Sequence, residues 1–438
     1  MLKEFQSLDA LLERLEQLGA RNVYCKFLAE NDNSKQQIYL GGSFEVLKQL
    51  VFGNVRADAS LSVPNFKASV PLSWVDGDGQ VAPAPGAQLI LYPQYPEVRL
   101  SGFLKGCPLA PSAYLRPIPK AERQFNNGPD GRVLFFGVSD DEVFTYLADG
   151  GSTVASAIRD HLVDETPLDA GTLRKVRLRK GPSSKDLLLA RLREIQNLGP
   201  HESMRLNRSG ERMPYAAKNG GGYTLEALFD IIPNGRSAPD FMGWELKAFS
   251  GSRITLMTPE PDAGYYGEHG VEAFLRKYGR QLPDDKIYFT GSHKANIPSP
   301  TSGQTLVTVG FDSDSGKITD VTGGIRLLDG DGEVSAEWTF ARLVEQWGRK
   351  HAAAAYVPYK VLDDSPIRYD YQNPILLGEG TEFSLFLKAL MDKKVIYDPA
   401  PKLERASEAN SKTKARSQFR MGVKDLGCLY RKFDAVKL

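Results

Sequence analysis

The nine residues from Pro239 to Lys247, PDFMGWELK, constrain the fold of this chain more than any other segment. Side chains on a β-strand alternate between its two faces. Glu245 and Lys247 therefore project to one side of a sheet, while Leu246 between them faces a core. The spacing predicts a strand that carries a carboxylate and an ammonium group side by side.

This pattern favours a metal site for phosphodiester hydrolysis. Beyond Gly243, a bend or bulge can bring Asp240 back toward Glu245. The two carboxylates can then share Mg²⁺, which keeps several waters and takes phosphate oxygens as further ligands. Lys247 can orient the attacking water and stabilise the charge that builds up on phosphorus. The expected reaction is cleavage of nucleic acid.

A further carboxylate stands fourteen residues before Asp240. Glu226 lies in YTLEALFDI, where Thr224 is a predicted helix N-cap and the leucines and phenylalanine supply an apolar face. From an adjacent helix, Glu226 can act as a water-bridged ligand or serve a second metal.

Alternating charges are also typical of a solvated strand that faces water. The neighbours of the charged residues argue against this second interpretation. The apolar side chains around them are Pro239, Phe241, Trp244, Leu246 and Phe249. They predict a strand that is at least partly buried, and buried charges need partners or a metal.

Longer stretches of the chain resemble a known family. They are GGGYTLEALFDIIPNGRSAPDFMGWELKAF, TPEPDAGYYGEHGVEAFLRKYG, VIYDPAPKLE and RSQFRMGVKDLGCLY. In this order they resemble the MvaI/BcnI restriction endonucleases, which belong to the PD-(D/E)XK superfamily and are close in fold to the repair nickase MutH. The resemblance covers residues 184 to 438. It implies that Asp240 and Glu245 bind the metal, that Lys247 is the catalytic lysine and that Glu226 is the helix carboxylate.

The resemblance also implies a substrate and a way of working. Family members recognise short pseudo-palindromic sites on double-stranded DNA, with CC and GG flanking a central base pair. They act as monomers that nick one strand, turn around and nick the other. A cognate methyltransferase is expected of such a restriction-modification system, although this chain does not encode it.

The net charge of +1 hides two basic segments. Residues 171–212 contain eleven Lys or Arg against four Asp or Glu, and residues 402–438 contain ten against four. Either segment can cradle phosphates, and either can equally be a solvated linker or tail.

The C-terminal basic segment supplies most of the predicted DNA contacts. Residues 401–418 are poor in apolar side chains, which predicts a loop able to reach into a groove, and QFRMGVKDLGCLY then predicts a packed strand or helix end. Arginine fits guanine in the major groove, and an acid such as Asp398 accepts from cytosine. By resemblance this is the base-reading region. Its candidate residues are Asp398, Lys402, Lys414, Arg416 and Arg420.

His269 is a further candidate for a DNA contact. DAGYYG before it and Gly270 after it predict a loop that feeds a helix, and helix starts bind phosphates. An ordinary helix residue is an equally good interpretation. A metal-binding role is not expected, because no His or Cys stands at ligand spacing.

Residues 1–165 have a different pattern. An amphipathic helix is followed by short alternating runs between Asn, Asp, Gly and Pro clusters, which predicts a mostly-β barrel or open sheet. Three runs, KFLAENDNSKQQIYL, YPEVRLSGFLKGC and DGRVLFFGV, resemble the effector domain of the EcoRII restriction enzyme, a DNA-binding pseudobarrel. That resemblance implies DNA contacts by Lys35, Arg99 and Lys105. A generic scaffold with solvated loops is the alternative.

Length and composition suggest how the chain is organised. With 438 residues and 41% hydrophobic content, it can bury two or more cores. We expect an effector domain over 1–165, a basic linker over 166–183 and an endonuclease domain over 184–438. Three cysteines without metal-ligand spacing suggest a reducing cytoplasm, and the sequence has no apolar run of membrane-spanning length.

The sequence therefore predicts an α+β or α/β PD-(D/E)XK nuclease domain of the MutH-like type, joined to a mostly-β, pseudobarrel-like domain that binds DNA. The expected activity is that of a Mg²⁺-dependent type II restriction endonuclease, with a second DNA copy bound at the N-terminal domain. The alternatives are a modification-dependent nuclease or MutH-like nickase, and a DNA-binding protein without catalytic activity.

Overall fold

The protein is described from a computed structural model. The structure describes residues 4–33, 35–95, 97–124, 129–161, 172–176, 183–217, 219–232, 240–350, 353–362 and 365–438. The chain divides into two compact units, Met1–Gly181 and Pro182–Leu438. Pro239, most of the expected linker, and three cations of the first basic segment (Arg177, Arg179 and Lys180) lie outside the described residues.

The N-terminal unit is mostly β-structure, as predicted. Its elements are α1 (Leu8–Gln17), β1 (Asn22–Ala29), β2 (Gln37–Gly41), β3 (Arg56–Asp58), β4 (Asn65–Ser69), β5 (Leu72–Val75), β6 (Val81–Pro83), β7 (Gln88–Tyr92), β8 (Glu97–Ser101), β9 (Pro129–Val138), β10 (Val143–Ala148), α2 (Thr153–His161) and β11 (Arg174–Val176). Short 3-10 helices occupy Phe44–Lys48 and Lys120–Glu122.

Two sheets build this unit. One has the strand order β11-β1-β9-β10-β5-β6 and the other β2-β8-β7-β4-β3. Leu11 and Leu15 of α1 are fully buried in one cluster with Phe135 of β9 and Val154 of α2. The amphipathic stripe of the first helix is therefore core, and Ser7 caps that helix by accepting from the Ala10 amide.

The C-terminal unit mixes helices and strands. Its first half contains α3 (Ser184–Asn197), β12 (His201–Glu202), β13 (Met204–Leu206), β14 (Arg212–Pro214), α4 (Gly221–Leu228), β15 (Trp244–Phe249), β16 (Arg253–Met257), α5 (Gly264–Tyr278), β17 (Arg280–Leu282), β18 (Lys286–Tyr288), β19 (Thr305–Val309), β20 (Phe311–Asp312), β21 (Lys317–Ile318), β22 (Gly324–Leu328) and β23 (Val334–Thr339).

The second half completes the unit. It contains α6 (Phe340–Lys350), β24 (Ala353–Leu362), β25 (Arg368–Tyr371), β26 (Ile375–Glu379), α7 (Phe383–Met391), β27 (Val395–Tyr397), β28 (Lys402–Glu404), β29 (Lys412–Lys414), β30 (Phe419–Gly422), a 3-10 helix (Val423–Leu429) and β31 (Lys432–Val436). The predicted fold class, mixed helix and sheet with a mostly-β N-terminal region, is confirmed.

The strand that carries the charged motif belongs to a six-stranded sheet of this unit. β15 pairs in parallel with β24, which belongs to the sheet β12-β25-β24-β26-β31. Trp244 and Leu246 of β15 pack with Leu225 of α4 and Leu192 of α3 in one buried cluster. Leu246 therefore faces a core, as the alternating pattern predicts. Ser183 precedes the first residue of α3 and forms a capping box with Asp186.

Two local predictions are wrong. Thr224 is not the cap of α4, since the helix begins at Gly221; its side chain is buried and bonds to the backbone of Met204 instead. Residues 401–418 are not simply a loop, because β28 and β29 form a hairpin that extends β17 and β18 into a four-stranded sheet.

In the part of the chain that the structure describes, no helix has both the length and the apolar character that a bilayer crossing requires.

Candidate active site

A tight turn brings the first acid of the motif to the strand that carries the second. Met242 and Gly243 have φ of 47° and 91°, and Phe241 and Trp244 exchange two backbone hydrogen bonds across them. Two consecutive residues with positive φ make a two-residue hairpin turn, in which glycine is strongly favoured. The bend that the sequence predicts at Gly243 is present.

The turn fixes the position of the Asp240 carboxylate. The Leu246 amide donates a 2.8 Å hydrogen bond to Asp240 Oδ2. Asp240 is half-buried, whereas Glu245, which lies on β15, is only 5% exposed. The side chain of Asp240 is thus held by the backbone of the strand that presents Glu245.

Lys247 completes this arrangement. Its Nζ donates to Glu245 Oε1 at 2.8 Å, as expected for side chains two residues apart on one strand face. Burial acts to lower the pKa of Lys247, but attraction to Glu245, the hydrogen bond between them, and the nearby Tyr356 and Asp240 outweigh it. The pKa of Lys247 is therefore raised, and the side chain stays a cation at neutral pH.

The strand next to β15 supplies a neutral environment. Tyr356 of β24 lies directly opposite Lys247, and its hydroxyl is 2.7 Å from that of Tyr430. Burial raises the pKa of Tyr356 to about 12 and raises that of Tyr430 well above its ordinary value. Both phenols therefore remain protonated, and the charges in this part of the site belong to Asp240, Glu245 and Lys247.

Glu226 reaches the same site from α4. It is half-buried and lines an open cleft of about 530 Å³ together with Lys247. Burial is the main cause that raises the pKa of Tyr371, and the carboxylate of Glu226 adds to it, which places Glu226 close to this phenol. The four sequence-predicted catalytic residues are therefore gathered by one helix, one turn and one strand.

Tyrosines hold the start of the helix that carries Glu226. Tyr371 Oη donates to the Gly221 carbonyl at 2.7 Å, and the Gly220 amide donates to Tyr369 Oη at 2.9 Å. The ring of Tyr359 lies so close to Gly221 that a Cβ there would be 2.4 Å from it. The glycine run before Glu226 thus allows α4 to pack directly on these rings.

The cleft also contains residues that the sequence analysis did not identify. Arg253 and Thr255 of β16, Gln346 of α6 and Tyr359 of β24 line it. They come from separate parts of the chain, and each is an ordinary residue in its local sequence. The tertiary fold brings them to the cleft that the candidate catalytic residues Glu226 and Lys247 also line.

The predicted base-reading residues fall into two groups. Arg420 lines the cleft, and its Nη1 donates to Asp398 Oδ2 at 2.7 Å. Lys402, on β28, is hydrogen-bonded to Glu404 and lies opposite Lys414 of β29. These two lysines and the exposed Arg416 belong to the segment around the β28–β29 hairpin. Asp398 and Arg420 are thus placed together, and Arg420 lines the cleft with the candidate catalytic residues Glu226 and Lys247.

His269 lies in a helix and not in a loop. It is the residue before Gly270, whose φ of 81° and ψ of 170° interrupt α5. The imidazole is half-exposed, with its ring centroid 4.5 Å from that of Tyr265 and Nε2 3.9 Å from Glu268 Oε2. The structure does not place it among the residues that line the cleft.

The candidate contacts of the N-terminal unit differ from one another. Lys35 and Lys105 are exposed. Arg99 is engaged inside its own unit, because it donates to Gln37 Oε1 at 3.1 Å, pairs with Glu97 at 2.7 Å and covers the ring of Tyr92. The lysines are therefore more accessible to a ligand than Arg99.

The carboxylates fit a small hard cation. Among the described residues no group of three or more His, Cys, Asp or Glu side chains is arranged to hold a metal ion. Mg²⁺ does not need one, since it commonly binds one or two carboxylates and completes its shell with waters and phosphate oxygens. Asp240 and Glu245 provide such a pair of oxygen donors on adjoining segments.

Two solved structures are among those to which this chain is similar. The chain is similar to the structure of restriction endonuclease MvaI with cognate DNA substrate (16% identity, 59% of this chain and 100% of that chain covered, TM-score 0.46). It is also similar to MvaI in the absence of DNA (17% identity, the same coverage, TM-score 0.33). A search of curated proteins gives no match.

The model of the MvaI/BcnI restriction endonuclease family matches residues 189–430, more than half of the chain and all of the site just described. The match confirms the resemblance inferred from the motifs. The chain belongs to the MvaI/BcnI restriction endonuclease family and is accordingly a type II site-specific deoxyribonuclease.

Proposed function

We propose that this enzyme hydrolyses phosphodiester bonds of double-stranded DNA at a short CC/GG-containing site, with Mg²⁺ as its cofactor. The observation that carries the proposal is the convergence of Asp240, Glu245 and Lys247, in which one acid is fixed by the strand that presents the other. Family membership supports the substrate class.

Each catalytic side chain has a defined task in this proposal. Asp240 and Glu245 would hold Mg²⁺, which supplies an acidified water and offsets negative charge on the phosphate when bound. Lys247, a cation because of its carboxylate neighbours, donates to the attacking water and to the phosphate oxygens. Glu226, on α4, lines the same cleft as Lys247 and would orient a water molecule from the helix side.

Two of the proposed DNA contacts, Arg420 and its partner Asp398, are at the cleft that Glu226 and Lys247 line. Arg420 and Asp398 are positioned to read a G·C pair, since guanidinium groups suit guanine and carboxylates accept from cytosine. Lys402, Lys414 and Arg416 contribute positive charge from the β28–β29 hairpin segment, and His269 offers a further polar contact from α5. We expect the enzyme to act as a monomer in the cytoplasm beside a cognate methyltransferase.

The N-terminal unit is proposed to bind a second copy of the DNA site. Its exposed Lys35 and Lys105 are the candidate contacts, whereas Arg99 is engaged with Glu97 and Gln37. If this unit acts as an effector, cleavage depends on the number of sites in the substrate.

Digestion of unmodified and methylated phage DNA tests the activity. The purified protein is incubated with Mg²⁺ or with a chelator, and the fragment ends are sequenced. If unmodified DNA is cut to fragments with discrete ends, and only when Mg²⁺ is present, the result supports the proposal and reveals the recognition site. Cutting of methylated DNA alone would point instead to a modification-dependent nuclease.

Plasmids with one or two copies of that site test the N-terminal unit. The proposal predicts faster cleavage of the two-site plasmid and stimulation of one-site cleavage by an added duplex that carries the site. Equal rates on both plasmids would remove the effector role and leave the nuclease assignment intact.

A further inference from the structure

The active-site cleft continues beyond the catalytic residues onto a second wall. Besides Glu226 and Lys247, it is lined by Arg253, Thr255 and Arg420. Arg253 and Thr255 are two residues apart on β16 and therefore share a strand face. The residues of this second wall are distinct from the carboxylate pair formed by Asp240 and Glu245.

The register between β16 and β30 places the two arginines on one face. Arg420 lies directly opposite Thr255 in the antiparallel ladder, and side chains of such a pair stand about 5 Å apart at Cβ. Arg253, opposite Gly422, is the next residue on that face. Gly422 contributes no side chain opposite Arg253, and the atom nearest to the position that its Cβ would take is Asp425 Oδ2, at 3.1 Å.

Charge distinguishes Arg253 from the other cations of the cleft. Lys247 is paired with Glu245, and Arg420 with Asp398. Arg253 is exposed, and its guanidinium has no carboxylate partner among the residues that the structure describes. An uncompensated arginine beside a threonine hydroxyl is well suited to a phosphate, which accepts two parallel hydrogen bonds from a guanidinium.

We propose that Arg253, assisted by Thr255, binds the backbone phosphate next to the scissile one on the strand being cut. The inference rests on the proposed function, because that function places the scissile phosphate beside Lys247. Successive phosphates of one strand are about 3.4 Å apart along the helix axis, so a neighbouring phosphate falls within the same cleft. The ligand class is a DNA phosphodiester, and recognition at this subsite is independent of base sequence.

Substitution of Arg253 is combined with neutralised phosphates to test the subsite. Duplexes that carry the cleaved site receive one neutral methylphosphonate at a time on either side of the scissile bond. The proteins are the wild type, Arg253→Ala, Arg253→Lys and the control Arg276→Ala. Arg276 is half-exposed on α5, pairs with Glu272 and does not line the cleft.

We expect one phosphate next to the scissile bond to be the one that Arg253 contacts. Neutralising it should lower wild-type kcat/KM about tenfold, and Arg253→Ala should lower kcat/KM by a similar factor, mainly through KM. The two losses should not add, because they remove the same contact. In a plot of the logarithm of the DNA-binding constant against the logarithm of the salt concentration, the slope for Arg253→Ala should be about one unit smaller than for the wild type. Arg253→Lys should recover part of the affinity. Arg276→Ala should behave as wild type.

Arg253→Ala with wild-type kcat/KM, or with undiminished sensitivity to every methylphosphonate, would overturn the subsite while leaving the nuclease assignment in place. Failure of the wild type to cut any DNA with Mg²⁺ would instead overturn the proposed function, and the subsite with it.

Discussion

The Leu246 amide donates to Asp240 Oδ2 at 2.8 Å, so the acid before the Met242–Gly243 turn is fixed by the strand after it. Gly243 has a φ of 91°, and a side chain there costs about 1–2 kcal/mol in backbone strain. We expect Gly243→Ala to misplace Asp240 and to lower kcat at least several-fold. The rate of single-turnover cleavage measures this. Gly330→Ala, in open space and without positive φ, is the matched control, and equal rates for the two variants would argue against the turn's role.

Lys247 should be essential for the chemistry and dispensable for affinity. Lys247→Ala removes the ammonium group that is 2.8 Å from Glu245, and the loss of one such electrostatic contact commonly costs about 100-fold or more in kcat. DNA affinity should change little, since it comes from many basic residues. Cleavage rates and filter-binding constants separate the two effects. Lys317→Ala, an exposed lysine on β21, provides the control.

Alanine substitutions at two adjacent glycines of α4 should change the stability of the protein in opposite directions. A Cβ on Gly221 would lie 2.4 Å from the Tyr359 ring, so Gly221→Ala should lower the free energy of unfolding by about 1–3 kcal/mol. Gly222 has open space around the same position, and alanine there should raise helix stability by up to about 1 kcal/mol. Denaturant unfolding of both variants tests the pair. Equal stability of the two would contradict the tight contact.

His293 gives the C-terminal unit a pH dependence. It is fully buried, its Nε2 is 2.8 Å from Ser302 Oγ, and burial lowers its pKa from 6.5 to about 4. Between pH 6.5 and 4 the unfolded chain takes up a proton that the folded protein does not, so stability falls as the pH falls through this window. The contribution is on the order of 3 kcal/mol. His293→Gln should unfold with a shallower pH dependence over this range, whereas an unchanged profile would refute the assignment.

Local patterns were enough to predict the strand that carries the candidate catalytic residues, because the contacts that arrange it are between residues close in sequence. Alternation on one strand fixes Glu245 and Lys247 on a common face, and Gly243 marks the turn that returns Asp240. The start of α4 was not predictable in this way. It begins at Gly221, ahead of Thr224, because hydroxyls of Tyr369 and Tyr371, about 150 residues away, hold its first turn.

Long-range strand pairing also explains why the structure of the predicted base-reading segment could not be foreseen from the sequence. The segment after Pro401 is poor in apolar residues and looks like a loop, yet β28 is held by β18, more than 100 residues earlier. The Arg420–Asp398 ion pair and the Arg253 wall likewise arise from neighbouring strands that are distant in sequence. The residue types were informative, but their grouping required the fold.

Asp240 is proposed to belong to the catalytic centre of this DNA endonuclease. The most direct measurement is single-turnover cleavage of the site-bearing duplex by the wild type and by Asp240→Ala in Mg²⁺, with binding of the same duplex measured in parallel. We predict that the wild type cleaves the duplex at its site, that Asp240→Ala does not cleave it, and that both proteins bind it with similar affinity. Cleavage by Asp240→Ala at the wild-type positions and rate would contradict the claim.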